Sequence, residues 1–411
     1  MKARPDLAPE AANSHIEVIQ LTDGDAPHAH VYMEAQIFTP DAARFVLHRT
    51  NSAHGGGKRN PDHQYLLCDI EDGCSLQPLT SEHGATAPSL SPDGQVLYYF
   101  VDQTNPTGGS LALNRVRLDG TQRRTLLVVD TPIGTPPRRP SYVYPLSTIR
   151  SDGRKLALSC FLGDGKTEQP PWGLMVFDLE GCSVEIILAG PDWCNVHPQY
   201  CRSTDDAHKR DILIQQNHGS VTLASGKRAS MGRGKGGDVH VVKDDGTDFR
   251  DMPWGRDPNE DIQGHQCWRG TSGWAITSTK QRAREEQELI ESKPVAHADH
   301  AGLNSPGAIR NNLSRGYPDP AFYHFATDRA GARLVTDTHV RDQGGRVFVA
   351  KLGAPGKQPL SDWTCIARPR SSWQKEAHIH PFLSPDGSRA FFNSDESGRL
   401  QAYMVRGFER L

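Results

Sequence analysis

The run His378-Ile379-His380-Pro381-Phe382-Leu383, followed by Ser384-Pro385-Asp386-Gly387 and Arg389-Ala390-Phe391-Phe392, decides the fold of this 411-residue chain. Pro presets φ and Gly accepts φ > 0, so SPDG is a tight turn. The apolar run after it reads as a strand. Before it, His-x-His sets two imidazoles on one face of an extended segment, because side chains alternate with a period of 2. The same turn recurs, with decay, at Thr39-Pro40-Asp41-Ala42, Ser91-Pro92-Asp93-Gly94, Arg150-Ser151-Asp152-Gly153 and Ser203-Thr204-Asp205-Asp206. It continues at Arg269-Gly270-Thr271-Ser272 and Thr327-Asp328-Arg329-Ala330. From Thr39 to Ser384 are 345 residues over six intervals, about 57 per unit, in the range of long propeller blades or slightly above it.

Each turn is followed by a short apolar run, such as Val96-Leu97-Tyr98-Tyr99-Phe100 or Lys155-Leu156-Ala157-Leu158. Most units add a third strand closed by an acidic-Gly turn, as in Val239-His240-Val241-Val242-Lys243-Asp244-Asp245-Gly246. Short, regularly spaced strands predict an all-β, seven-bladed β-propeller with four-stranded blades. The run His15-Ile16-Glu17-Val18-Ile19-Gln20-Leu21 is positioned to complete the last blade, close the ring and remove an exposed edge. Residues 1–14 then form an N-terminal tail and 15–411 a single propeller domain. Two segments stand outside the repeat. Residues 219–237 hold a Gly/Lys/Arg-rich loop, and 282–320 open with a short helical pattern over Arg282 to Ile290; both read as insertions.

The bulk numbers exclude several classes. A net charge of −3 leaves no electrostatic footprint for nucleic acid or an anionic membrane. No stretch approaches the ~20 apolar residues of a membrane span, and the first residues, MKARPDLAPEAANSH, lack the apolar core of a secretory signal. The 8 cysteines are scattered with no CxxC pair, so buried thiols in a reducing compartment, the cytoplasm, are expected. No GxSxG motif is present, and Gly232-Arg233-Gly234-Lys235-Gly236-Gly237 is not followed by a helix pattern, so neither a nucleophile elbow nor a phosphate loop is indicated.

In a propeller the innermost strand of each blade lines the central channel, and here that strand precedes each turn. His197, His265, His324, His378 and His380 all fall there, as do Tyr142, Tyr144, His28, His30 and Tyr32. Imidazoles from several blades converging on one axis suit Mn, Fe, Ni, Cu or Zn. His378, His380 and a histidine of the neighbouring blade form the natural facial set.

Four stretches resemble the oligogalacturonate lyases, cytoplasmic polysaccharide lyases built on a seven-bladed propeller. His378-Ile379-His380-Pro381 with Phe391-Phe392-Asn393-Ser394-Asp395 is similar to that family's HPHP-turn-FTSD segment. Tyr323-His324-Phe325-Ala326-Thr327-Asp328 resembles its His-bearing sixth blade, and Gly264-His265-Gln266-Cys267-Trp268 its THEFW strand. His197-Pro198-Gln199-Tyr200 through Asn217-His218-Gly219 resembles its HP…CHEG stretch. The resemblance implies Mn²⁺ held by three His and a Gln: His324, His378, His380 and, one place from the family position, Gln374, with Glu376 as the alternative. It implies His265 as catalytic base. A family arginine would fall near Asp238, with Arg233 of the loop as its stand-in.

The expected function is metal-dependent β-elimination of a small, acidic, uronic-acid-containing oligosaccharide, with His197, His218, Tyr144 and His30 contacting substrate. The expected assembly is a monomer or weak homo-oligomer, with no nucleic-acid or membrane partner. Two rivals remain: a non-catalytic TolB-like propeller acting as a binding module, and a metal-dependent sugar epimerase or isomerase.

Overall fold

The computed structural model describes residues 1–9, 15–231, 236–255, 259–283, 286–296, 307–319, 321–339 and 344–410. It is an all-β ring of seven antiparallel sheets. The first blade runs outward through His28–His30, Arg44–Arg49, Gln64–Asp69 and Ser75–Pro78. The next five repeat that order from inner strands at Ala85–Leu90, Tyr142–Ile149, Gln199–Tyr200, Glu260–Trp268 and Phe325–Thr327. The last blade has Phe382–Leu383 innermost, then Arg389–Ser394 and Gln401–Arg406. Its fourth strand is Glu17–Gln20 from the other end of the chain, paired antiparallel with Tyr403 to Arg406. The ring closes as the sequence predicts.

Part of the segment read as a tail is structured. Lys2–Ala3 pairs with Ile19 and Gln20 as a fifth strand of the last blade. Leu7 is fully buried, and its carbonyl accepts the Arg368 amide at 2.7 Å.

The repeating turns fold as their residues dictate. Ser384 Oγ donates to Asp386 Oδ1 at 2.5 Å, and the Gly387 amide closes on the Ser384 carbonyl at 2.9 Å. Ser91, Asp93 and Gly94 repeat the pattern. Gly94 has φ +70°, and a Cβ there would sit 2.6 Å from Pro40 Cδ of the preceding blade's turn. The glycine therefore permits the backbone conformation and also lets adjacent turns touch around the ring.

Between blades the core is apolar. Phe38, Phe45, Phe382 and Phe391 interlock with ring centroids 5.2–5.9 Å apart where the first and last blades meet. Each fully buried ring contributes roughly 1.5–3 kcal/mol. Arg269 is buried with Glu291 as its ion-pair partner, and its Nε donates to the Gly331 carbonyl at 3.0 Å, tying the fifth blade to the sixth.

Three expectations are corrected. The helical pattern after Arg282 is sheet: Gln287–Ser292 and Arg310–Asn312 are the outer strands of the fifth blade. Its ladder to Ala275–Gln281 overrides the helix-like spacing of the glutamates. The 219–237 segment carries a two-stranded hairpin, Val221–Thr222 with Arg228–Ser230, inside the fourth blade. The cysteines are not all thiols, since Cys68 and Cys74 form a disulfide with Cα atoms 5.1 Å apart. None of the helices described is long and apolar enough to cross a membrane.

Candidate metal centre

The inner strands run in the same direction, so their N-terminal ends gather at one mouth of the channel and the repeating turns at the other. The histidines lie at the N-terminal ends. His378 and His380 do not sit on a strand, because the last inner strand spans only Phe382–Leu383. They follow a 3-10 turn over Lys375–Ala377. The His380 backbone is left-handed, at φ +47°, a conformation that costs a non-glycine residue energy and concentrates at functional sites.

A third imidazole comes from a residue the sequence does not flag. His54, in the loop after Arg44–Arg49, stands with its ring 4.9 Å from His378 and 4.5 Å from His380. Single nitrogens of these three rings lie within 4.8 Å of one another. His324 adds a fourth ring, 4.3 Å from His380 and 5.5 Å from His378. Its Nδ1 lies 2.9 Å from Asp337 Oδ2, which leaves Nε2 for the cluster; a carboxyl group behind the ring is the usual support of a metal-bound histidine. Burial raises the Asp337 carboxyl to about 8.

Several ring nitrogens here are buried with no hydrogen-bond partner: His54 Nε2, His378 Nδ1 and both nitrogens of His380. Orphaned buried donors and acceptors are rare because each costs desolvation energy. Burial and the neighbouring imidazoles hold His54 down to about 3 and His380 and His324 well below the usual range. Neutral, converging, unpartnered imidazoles are the form a transition metal takes up. The residues fit a metal.

Neither residue expected from sequence as the fourth ligand is buried with these rings. Gln374 is exposed at the start of the 3-10 turn, where its backbone amide bonds Ser372 Oγ. Glu376 is also outside the set. Its carboxylate binds Ser52 Oγ and its carbonyl accepts the Ala53 amide at 3.0 Å, so it anchors the loop that presents His54.

Beside the cluster stands His265, its ring 4.6 Å from His324. The inner strand Glu260–Trp268 shifts register between Ile262 and Gln266, and Gly264 inside the bulge has φ +103°. The bulge turns His265 into the mouth. Its Nδ1 is 2.6 Å from Gln263 Oε1; a carboxamide oxygen only accepts, so the proton is on Nδ1 and Nε2 is a free base. Burial and the surrounding imidazoles keep the ring neutral.

His197 faces His265 at 6.0 Å between ring centroids and also has a left-handed backbone, φ +48°. Its Nδ1 is 3.0 Å from Glu34 Oε2 and its Nε2 3.4 Å from Tyr144 Oη. Tyr144 sits on the bulge between Val143 and Ser147 of the third inner strand. Glu34, buried and pushed above the usual carboxylate range by that burial, carries no sequence signal. His197 and His265 line a cavity of about 500 Å³ with Gln263, Asn217 and Arg282. Arg282, paired with Asp261 at 2.9 Å, is a cation at the rim that the sequence reading passed over.

One expected substrate contact, His30, lies elsewhere. His30 is fully buried among Phe45, Phe382 and Phe391, with Nε2 3.0 Å from the Tyr403 carbonyl. It is a core residue, because its strand turns that face into the wedge between blades. His218 pairs with Asp238 at 2.7 Å and follows Asn217 of the cavity wall. Arg233 lies outside the described residues.

No protein-family model matches the chain, and no curated protein matches it significantly. Solved structures do match. An oligogalacturonate lyase in complex with manganese superposes with a TM-score of 0.70 at 18% identity, over 99% of this chain and 96% of that one. An oligogalacturonate lyase from Vibrio parahaemolyticus gives 0.68 at 17%, over 96% and 94%. At these identities the likeness is one of fold. The whole ring is shared.

Proposed function

We propose that the protein is a metal-dependent lyase that cleaves a uronic-acid-containing oligosaccharide, oligogalacturonate-like, by β-elimination. The observation that carries this reading is the meeting of four unprotonated imidazoles at one mouth with a fifth, His265, held apart as a free base. His54, His324, His378 and His380 would hold the metal, Mn²⁺ by analogy with the manganese complex above. When bound it supplies Lewis-acid neutralisation of the substrate carboxylate, which acidifies the adjacent C–H.

The chain does the proton work. His265 Nε2 removes the C5 proton, the C4–O bond breaks and a C4–C5 double bond forms. The leaving oxygen takes a proton from the opposite wall, where Tyr144 donates and His197, oriented by Glu34, steadies the hydroxyl. Tyr144 is raised above its ordinary value by burial, so it stays protonated at neutral pH. Arg282 is placed to meet a second carboxylate of an acidic oligosaccharide.

The test is absorbance of unsaturated product on a panel of uronides with Mn²⁺-loaded protein. Absorbance that appears in wild type and is lost in His265→Ala is the expected result. No product on any uronide rejects the lyase; a saturated, inverted product means the epimerase. The cytoplasmic location belongs to the same proposal. A reducing compartment would open the Cys68–Cys74 bridge, so the redox state of that pair in cells tests it.

A further inference from the structure

The opposite mouth of the channel, where the repeating turns gather, holds a second feature that the proposed chemistry does not use. A cavity of about 140 Å³ opens there. Its walls are largely apolar and include Phe38, Leu90, Ile149 and Phe382, and two arginines, Arg202 and Arg329, face into it; no carboxylate lines it. Arg202 is half-buried and Arg329 exposed. Among the described residues neither guanidinium has an ion pair or hydrogen bond.

Among the described residues the nearby acids make no ion pair with either arginine. Asp328, beside Arg329, accepts the Ala332 and Arg333 amides at 2.7 and 3.0 Å. Glu34 lines the narrow space behind Arg202; its Oε2 lies 3.0 Å from His197 Nδ1, and its buried Oε1 bonds neither Arg202 nor any other group. A guanidinium removed from water without a counter-charge is costly. Arg329 adds like-charge repulsion to burial, and both push the Arg202 guanidinium below its ordinary value.

We propose that this mouth binds a small organic carboxylate, whose charge meets Arg202 and Arg329 and whose apolar body fills the space between the phenylalanines. A bare inorganic anion would satisfy the charges and leave the apolar walls wet. Pockets that combine apolar walls with a few placed polar groups are the common form of small-molecule sites. The site is independent of the histidine centre, which lies at the other mouth.

The experiment is thermal melting of the full chain with sodium benzoate, against benzamide at the same concentration and chloride at matched ionic strength. Benzoate should raise Tm by on the order of 2 °C at saturating concentration, and benzamide should not. The shift should persist in His378→Ala, which alters the other mouth, and vanish in Arg202→Met. Without benzoate, Arg202→Met should melt no lower than wild type, because it removes an uncompensated charge. A drop would mean that Glu34 is the partner of Arg202 and would overturn the site. So would no benzoate shift, an equal shift with benzamide, or a shift that survives Arg202→Met. If Arg202→Met does not fold, Arg329→Gln should weaken benzoate at least threefold in a calorimetric titration, and unchanged affinity would reject the proposal.

Discussion

Acid acts on this protein through its buried histidines, and two of them outside the metal cluster, His30 and His63, make a share that can be worked out. His30 and His63 are 0% and 5% exposed, and burial first of all holds them down to about 3 and about 4, from an ordinary value of 6.5. His30 Nε2 donates to the Tyr403 carbonyl, while Nδ1 is buried with no partner, so a second proton has nowhere to bond. In the unfolded chain both rings titrate normally. The folded pKa is the depressed one, so stability is fully present above pH 6.5 and is lost as pH falls toward the folded values.

Each such ring contributes a slope of about 1.36 kcal/mol per pH unit within that window. At pH 5 the loss is about 2 kcal/mol per ring and about 4 kcal/mol for the two. That is a large share of a total on the order of 5–15 kcal/mol. Urea unfolding at pH 7, 6 and 5 reads the loss directly. His30→Phe should flatten the slope by about one proton whatever it does to absolute stability. A slope unchanged in His30→Phe would refute the claim that this ring is buried neutral.

Three further outcomes are expected. His54→Ala should weaken Mn²⁺ binding by at least about 10–100-fold and Gln374→Ala should leave it unchanged, both read by metal titration of the purified protein. Glu291→Gln leaves the Arg269 guanidinium buried without its counter-charge and should cost about 3–5 kcal/mol in urea unfolding. Alkylation of the denatured chain should label six of the 8 cysteines without reductant and all of them with it; full labelling without reductant would rule out the Cys68–Cys74 bridge.

The ring was legible because its cause is local. Ser-Pro-Asp-Gly makes one turn with little help from the rest of the chain, and its recurrence counts the blades. His265, His324, His378 and His380 were legible because each precedes such a turn at a similar offset. His54 was not, since it sits in a loop between strands and reaches the cluster only because Glu376 of the last blade grips Ser52 and Ala53. Glu34 was hidden for a related reason: its partner His197 is 163 positions away. His30 misled because period-2 alternation says which residues share a face, not which face meets the channel. The glutamates after Arg282 misled because helix-like spacing yields to a ladder offered by a neighbouring strand.

The closure of the ring has a consequence for biosynthesis. Glu17–Gln20 is made long before its partner Gln401–Arg406. Until Gln401–Arg406 has been made, the growing chain is an open arc whose last blade is incomplete. His54 belongs to the first blade, and His378 and His380 to the last, so the cluster straddles this seam. An ion held there would act as a clasp across the join, and its capture would report that the two strands of the seam had met.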